Sequence, residues 1–76
     1  MDEKLKKIFS EILEVSISQI TENASPETIE SWDSLKQMGL IVAIEEEFGI
    51  QFEDEAVFSL NDYAMIHSAL EKMLSN

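Results

Sequence analysis

Residues 2–15 carry apolar side chains at the spacing of one face of an α-helix. These side chains recur at intervals of three and four residues, and lysine and glutamate occupy most of the positions between them. The apolar residues are Leu5, Ile8, Phe9, Ile12 and Leu13. We therefore expect an amphipathic helix over residues 2–15, and no other segment has its secondary structure specified as clearly.

Residues 16–33 have a different composition. Ser, Thr, Asn and one Pro dominate this segment, and no helical period remains. A loop of this length is uncommon in a compact domain and is usually functional or disordered. Because apolar side chains are spaced through it, we predict an ordered crossing loop that is attached to the core at Ile17, Ile20, Ile29 and Trp32.

A second helix is predicted to begin at Trp32-Asp33-Ser34-Leu35 and to extend to about Phe48. Asp33 is a suitable N-cap, because its carboxylate can accept hydrogen bonds from free N–H groups of the first turn. Gly49 is a typical residue just beyond a helix C-terminus. The apolar residues form a wide stripe, as expected of a central helix with several neighbours. They are Leu35, Met38, Ile41, Val42, Ile44 and Phe48.

Two further helices are expected in the rest of the chain. A short helix is predicted around Asp54 to Phe58, where acidic residues suit the dipole of a helix N-terminus. Ser59 and Asp62 approximate a capping box, and an amphipathic helix is predicted from there to Leu74. Its apolar face contains Leu60, Tyr63, Ile66 or His67, Leu70 and Leu74.

These elements predict an all-α fold. The chain has 76 residues, which suffice for one domain over residues 1–76. One Pro and two Gly argue against a turn-rich all-β fold. We expect a small four-helix bundle of three main helices and one short helix, with a long first loop.

The strong negative charge restricts the possible partners. Five lysines, no arginine and sixteen acidic residues give a net charge of −11. Such a surface repels nucleic acid and anionic membranes and favours basic protein surfaces. We therefore expect no nucleic-acid partner.

The absence of cysteine and of long apolar segments indicates a cytoplasmic protein. Without cysteine the chain has no disulfide, no Cys-based zinc site and no thiol nucleophile, which suits a reducing compartment. No secretory signal is visible. The longest apolar run, Met38 to Ile44 with Gly39 included, is too short for a membrane span. No calcium-loop spacing occurs, and we predict no metal site.

Ser34 is a hydroxyl residue in an unusual place, at the start of a helix and at the end of a long loop. A phosphate ester on Ser34 would lie among free N–H groups and in the positive field of the helix N-terminus. Helix N-termini also favour Asp and Ser simply as capping residues. On physical grounds alone, a purely structural role for Asp33 and Ser34 is the better interpretation.

A wider pattern changes this interpretation. Asp33-Ser34-Leu35, followed by a helix that ends in Glu45-Glu46-Glu47-Phe48-Gly49-Ile50, resembles the acyl carrier protein family. The resemblance covers nearly the whole chain. Further similar segments are Gln19-Ile20-Thr21 and Ala24-Ser25 in the first loop, Phe52 with its neighbouring acids, and Ser59-Leu60 before the last helix.

The resemblance implies that Ser34, flanked by Asp33 and Leu35, receives a 4′-phosphopantetheine arm. A separate phosphopantetheinyl transferase that uses magnesium would transfer the arm from coenzyme A. The thiol of the arm would then carry acyl groups as thioesters between enzymes, which a polypeptide without cysteine could not do by itself. The chain would be a monomeric carrier and not an enzyme.

Three positions depart from the pattern of fatty-acid carriers. Lys36 and Gly39 stand where acidic residues are common, and Ser31-Trp32 stands where Gly-Ala is usual. These changes lower the negative charge beside Ser34 and favour a specialised carrier. Gly39 either admits a partner or an acyl chain close to the backbone or is neutral variation on an exposed face. Trp32 either guards the base of the arm or, as we favour, anchors the loop in the core.

The resemblance also implies a docking surface for partner enzymes. These partners would be acyl-transferring or acyl-activating enzymes with basic docking surfaces, although charge runs are also ordinary solvated faces and caps. The expected docking residues are Lys36, Met38, Glu45, Glu46, Glu47, Glu53, Asp54 and Glu55. A cavity that shelters the acyl chain could be lined by Met38, Ile41, Phe58 or Met65.

Several alternatives remain open at this point. The chain could be an unmodified acidic helical protein-interaction module, or a peptidyl or aminoacyl carrier of the same fold. Its pathway could produce fatty acids, polyketides or a related specialised product. A small hydrolase built on Ser34, His67 and an acid would need a base close to the hydroxyl and an oxyanion pocket. Nothing in the sequence supplies that pocket.

Overall fold

The computed structural model describes residues 2–75, so Met1 and Asn76 at the ends of the predicted domain lie outside the described residues. Within this range the secondary structure is helical, without a strand. The elements are α1 (Asp2–Leu13), a 3₁₀-helix (Ile17–Gln19), α2 (Ser34–Phe48), α3 (Asp54–Val57) and α4 (Tyr63–Leu74). The predicted all-α fold of three main helices, one short helix and a long first loop is confirmed. None of the described helices is long and apolar enough to cross a membrane.

The first helix ends two residues earlier than the sequence predicts. Glu14 adopts a left-handed conformation with φ of 58°, and the N–H of Val15 donates to the carbonyl oxygen of Ser10 at 3.2 Å. This is the hydrogen bond of a Schellman motif. The hydroxyl of Ser10 also donates to the carbonyl oxygen of Val15 at 2.6 Å. These bonds end α1 and begin the loop, so Glu14 and Val15 are not helical.

The predicted apolar face of α1 forms the centre of the core. Leu5, Phe9 and Leu13 are fully buried. The ring of Phe9 contacts the rings of Trp32 and Tyr63 edge-to-face, at centroid distances of 5.4 and 5.0 Å, which is a favoured aromatic geometry. One side chain of α1 thus joins the helix to the loop and to α4.

The stripe predicted for α2 is partly wrong. The helix buries Leu40, Ile41 and Ile44, although Leu40 was not among the predicted positions. Leu35, Met38 and Val42 are instead 81%, 57% and 49% exposed. The helix carries apolar residues on two faces, and packing against the rest of the bundle covers one of them.

The long loop is ordered by several contacts, as predicted. Ile20, Ala24, Ile29 and Trp32 are buried in the core, whereas Ile17 lies exposed in the 3₁₀-helix and is not an attachment point. The hydroxyl of Ser31 donates to the carbonyl oxygen of Leu13 at 2.7 Å, and Ala24 accepts from the N–H of Tyr63 at 3.0 Å. The middle of the loop and its C-terminal end are therefore bound to α4 and α1. Trp32, only 3% exposed, is the anchor that we expected.

The start of α4 differs from the predicted capping box. The helix begins at Tyr63, and its N-cap is Asp62, whose carboxylate accepts from the N–H of Met65 at 2.8 Å. Ser59 takes no part in this cap, because its hydroxyl donates to the carbonyl oxygen of Ala56 at 2.9 Å. Leu60 is buried in the connection that precedes the helix.

Candidate functional site

The hydroxyl residue Ser34 is the first residue of α2, and it is exposed. Asp33 precedes it in an extended conformation, and its Oδ1 accepts from the N–H of Lys36 at 2.8 Å. The carbonyl oxygen of Asp33 accepts from the N–H of Gln37 at 2.9 Å. The predicted N-cap is thereby confirmed. It fixes the first turn of α2 while leaving the hydroxyl of Ser34 accessible.

The first turn of α2 also offers unpaired donors. Among residues 2–75, nothing accepts a hydrogen bond from the backbone N–H groups of Ser34 and Leu35. Free N–H groups and the helix dipole together favour a negatively charged group at this end of a helix. An exposed hydroxyl in these surroundings fits the phosphate end of a 4′-phosphopantetheine group.

A groove of about 220 Å³ lies beside the hydroxyl of Ser34. We call it the Ser34 groove, and its lining residues are Pro26, Trp32, Asp33, Ser34, Gln37 and Asn61. These residues come from the loop, from the first turn of α2 and from the segment before α4. The groove therefore joins three parts of the chain that are distant in sequence.

Gln37 connects these three parts. Its Oε1 accepts a hydrogen bond of 2.7 Å from the indole Nε1 of Trp32, and its Nε2 donates to the carbonyl oxygen of Leu60 at 2.6 Å. Sequence reasoning missed this residue. The sequence does place an amide side chain three residues after Ser34, in a helix that we expected to have several neighbours. A polar side chain in that position could have indicated a hydrogen bond to a neighbouring element.

The expected docking residues of α2 differ in their surroundings. Met38 is exposed, as are Glu46 and Glu47. Lys36 is half-buried, and its Nζ lies 3.0 Å from a carboxylate oxygen of Glu14. Glu45 is half-buried as well, and its Oε2 accepts from the N–H of Phe52 at 2.8 Å. Glu45 thus holds the segment that leaves α2. Lys36 pairs with the residue that follows α1, at an exposed position where an ion pair contributes little to stability.

The expected docking residues near α3 are all exposed. They are Glu53, Asp54 and Glu55. Phe58 follows this helix and is 84% exposed. Of the residues suggested for an acyl cavity, Met38, Phe58 and Met65 are exposed and Ile41 is buried.

Gly39 lies at the contact between α1 and α2. A Cβ atom at this position would be 3.6 Å from Cγ2 of Ile12, an ordinary van der Waals distance. Gly39 is half-buried. It therefore lies against α1 and not on a fully exposed face of α2.

His67 is not placed to act on Ser34. Its Nε2 lies 2.6 Å from Oδ1 of Asp2, and both residues line a groove that also contains Tyr63. This hydrogen bond, with the charge of His67, lowers the pKa of Asp2 below its usual 3.8. Burial and the charge of Asp2 raise the pKa of Tyr63 above 10.0. The structure therefore gives no support to the alternative of a hydrolase built on Ser34 and His67, because His67 has Asp2 as its partner and lines a different groove.

No metal site accompanies these residues in the described part of the chain. Among residues 2–75, no group of three or more His, Asp or Glu side chains is placed to hold an ion. The acidic residues near α3 and most of those at the end of α2 are exposed, and Glu45 accepts a hydrogen bond from the N–H of Phe52. The candidate site consists of the Ser34 hydroxyl, the N-cap Asp33 and the neighbouring groove.

Comparison with known proteins identifies the family. Residues 3–66 match the protein family described as "Phosphopantetheine attachment site". The chain is 46% identical over 61 residues to the "Acyl carrier protein" of Buchnera aphidicola subsp. Schizaphis graminum (strain Sg), which covers 80% of this chain and 77% of that protein. Such proteins carry 4′-phosphopantetheine covalently and act as carriers rather than enzymes. The chain belongs to the acyl carrier protein family.

Proposed function

We propose that Ser34 is the residue that bears the 4′-phosphopantetheine arm, and that the chain delivers acyl thioesters between the enzymes of a specialised pathway. The observation that carries this proposal is the exposed hydroxyl of Ser34 on the first residue of α2. The arm supplies the thiol on which acyl groups are held. Loading requires that a transferase reach Ser34 Oγ, and Ser34 is exposed.

Asp33 and Leu35 have separate roles in this proposal. Asp33 holds the first turn of α2 by accepting from the N–H of Lys36. The carboxylate of Asp33 is thus hydrogen-bonded to the backbone of Lys36. The N–H groups of Ser34 and Leu35 remain able to donate to the phosphate. The exposed side chain of Leu35 is an apolar contact beside the attachment point.

A docking surface extends from Ser34 along α2. Leu35, Met38 and Val42 follow one another at intervals of three and four residues, so they share one face of the helix. Apolar residues on a solvent-exposed face are suited to contact with a protein partner. Acidic side chains at the end of α2 and at α3 add attraction to a basic surface. The acidic part of this surface contains Glu46, Glu47, Glu53, Asp54 and Glu55.

Two of the expected docking residues have a different role in this proposal. Glu45 accepts a hydrogen bond from the N–H of Phe52 and therefore has a structural role. Lys36 forms an ion pair with Glu14, which removes negative charge next to the attachment site. We propose that this pair reduces recognition by enzymes that dock on an acidic surface around Ser34, such as those of general fatty-acid synthesis.

We further propose that residues 1–76 act as one monomeric carrier domain in the cytoplasm. The net charge of −11 supports the monomer, because like charges oppose self-association. Light scattering of the purified chain tests this part. A mass of 8.7 kDa is expected, and a stable dimer would contradict it.

Intact mass measurement tests the attachment site. The chain is co-expressed with a broad-specificity phosphopantetheinyl transferase, and we expect a species heavier by one phosphopantetheine. Ser34→Ala should abolish this species. Ser68→Ala is the matched control, because Ser68 is also an exposed serine on a helix, and it should leave loading unchanged. An unchanged mass with several transferases would favour an unmodified interaction module.

Charge reversal at Lys36 tests the pathway. Lys36→Glu should raise kcat/KM for an acyltransferase of general fatty-acid synthesis with the loaded carrier as substrate. Lys72→Glu changes the charge equally on α4, at an exposed position, and should have little effect. Efficient use of the unaltered carrier by that enzyme would contradict a specialised role.

A further inference from the structure

We propose that the Ser34 groove holds the part of the arm nearest to its phosphate, and that Asn61 is its polar contact. This inference rests on Ser34 being the attachment site. Ser34 itself lines the groove, so a group on its hydroxyl begins at the groove and need not reach it from a distance. The groove is consequently a binding site on the carrier for its own arm.

The size of the groove determines how much of the arm it can hold. Its volume is about 220 Å³, which is below the ~300–1,000 Å³ of pockets that enclose a drug-sized ligand. The groove therefore holds only a portion of the arm. The thiol end remains outside, where partner enzymes can reach it.

The chemistry of the lining matches this portion of the arm. Next to its phosphate, the arm carries two methyl groups on one carbon, followed by a hydroxyl and an amide. Pro26, which is exposed, and the small accessible part of Trp32 provide apolar surface for the methyl groups. The side chain of Asn61 is exposed and makes no hydrogen bond to any residue in the range 2–75. Its carboxamide can both donate to and accept from the hydroxyl or amide of the arm.

The walls of the groove are fixed before the arm arrives. Trp32 is buried and bonded to Gln37, and Gln37 is bonded to Leu60, the residue before Asn61. The loop wall and the Asn61 wall are therefore both tied to α2. A preformed site binds with less loss of side-chain freedom than one that must be ordered by its ligand.

Nuclear Overhauser effects in the loaded full-length chain test the proposal directly. We expect effects between the methyl protons of the arm and the ring protons of Trp32 and Pro26. We also expect the emission of Trp32, the only tryptophan, to differ between the unloaded and loaded protein. If the measured mass shows complete loading and neither the Overhauser effects nor the change in emission is observed, the groove proposal is overturned.

A pair of asparagine variants tests the role of Asn61. Asn61→Ala should load normally but lose the effects between arm and groove. Asn23→Ala removes another exposed loop asparagine, which does not line the groove, and should keep them. Retention of all the effects in Asn61→Ala would overturn the assigned contact. Failure of the unaltered chain to gain mass would instead overturn Ser34 as the attachment site, so the two proposals fail separately.

Discussion

The indole Nε1 of Trp32 donates a hydrogen bond of 2.7 Å to Oε1 of Gln37, one turn into α2. The other end of the same amide donates to the carbonyl oxygen of Leu60 at 2.6 Å. One side chain therefore satisfies two polar groups that belong to largely buried residues. The pair holds the end of the long loop against the helix that presents Ser34.

Replacing Gln37 with leucine should destabilise the fold by at least about 2 kcal/mol. The substitution leaves the Trp32 N–H and the Leu60 carbonyl oxygen without a partner, and each unpaired buried group costs roughly 1–3 kcal/mol. Urea unfolding followed by circular dichroism measures the change. Gln51→Leu is the control at an exposed glutamine and should change stability little.

A double-mutant cycle isolates the hydrogen bond from the indole. In a Trp32→Phe background the N–H is absent, so Gln37→Leu should cost less than it does in the unaltered chain. Equal costs in the two backgrounds would show that Trp32 and Gln37 are not coupled.

Replacing Asp33 with alanine should cost about 1 kcal/mol of stability, because α2 loses its N-cap. Asp33→Asn keeps an acceptor oxygen and should cost much less. Asp62→Ala removes the corresponding cap of α4 and should cost about as much as Asp33→Ala. Urea unfolding gives all three values. A loss with Asp33→Asn as large as that with Asp33→Ala would mean that charge, and not capping, is the important property.

Replacing the two glycines with alanine should have opposite effects. Gly39→Ala should stabilise the protein by up to ~1 kcal/mol, because alanine in a helix interior loses less backbone freedom on folding than glycine does. Its new Cβ would meet Ile12 at an ordinary distance of 3.6 Å. Gly49→Ala should destabilise by roughly 1 kcal/mol, because Gly49 has φ of 64°. Thermal denaturation distinguishes the two, and a destabilised Gly39→Ala would mean that the contact between α1 and α2 cannot accept a methyl group.

The hydrogen bond between Asp2 and His67 should make stability depend on pH in the acid range. The folded pKa of Asp2 is lowered, so its contribution is present above the ordinary value of 3.8 and is lost as pH falls through the folded pKa. Asp2→Asn should therefore melt at a lower temperature than the unaltered chain above that pH. The difference should shrink in more acidic solution.

Glu3→Gln is the control for this experiment. Glu3 also lies in the first turn of α1 and is exposed, so the variant removes a similar charge without removing the bond to His67. A pH-dependent difference of the same size in Glu3→Gln would show that the helix dipole, and not the bond to His67, is responsible.

Added magnesium or sodium chloride should raise the melting temperature. The net charge of −11 creates repulsion within the folded chain, and salt screens it. A titration monitored by circular dichroism measures the effect, with sucrose as the uncharged control. A melting temperature that does not change across the salt titration would contradict this expectation.

Local patterns predicted those parts of the fold that depend on neighbours in sequence. The apolar period of α1 identified Leu5, Phe9 and Leu13, because a helix with one apolar face has one way to bury it. In α2, by contrast, both faces are apolar, and periodicity could not decide between them. Leu40 is buried and Leu35 exposed because of where α2 packs, which the sequence of α2 alone does not encode.

The same distinction applies to the site. Asp33 as N-cap and Gly49 at the end of α2 followed from the conformational preferences of single residues, and both are as expected. The start of α4 was misplaced because Ser59 and Asp62 are both acceptable caps locally. The fold resolves the choice by binding the Tyr63 N–H to Ala24 in the distant loop.

The helical fold, the strong acidity and membership of a carrier family could all be inferred from the sequence, because helical periods, total charge and the Asp33-Ser34-Leu35 motif with its surrounding segments are properties of the residue order. The packed fold was needed to find that Gln37 joins Trp32 to Leu60, that Gly39 faces Ile12, and that a groove lies beside Ser34. The bond from Gln37 to Leu60 spans 23 residues. Such contacts depend on how the elements pack together, and no local pattern records that packing.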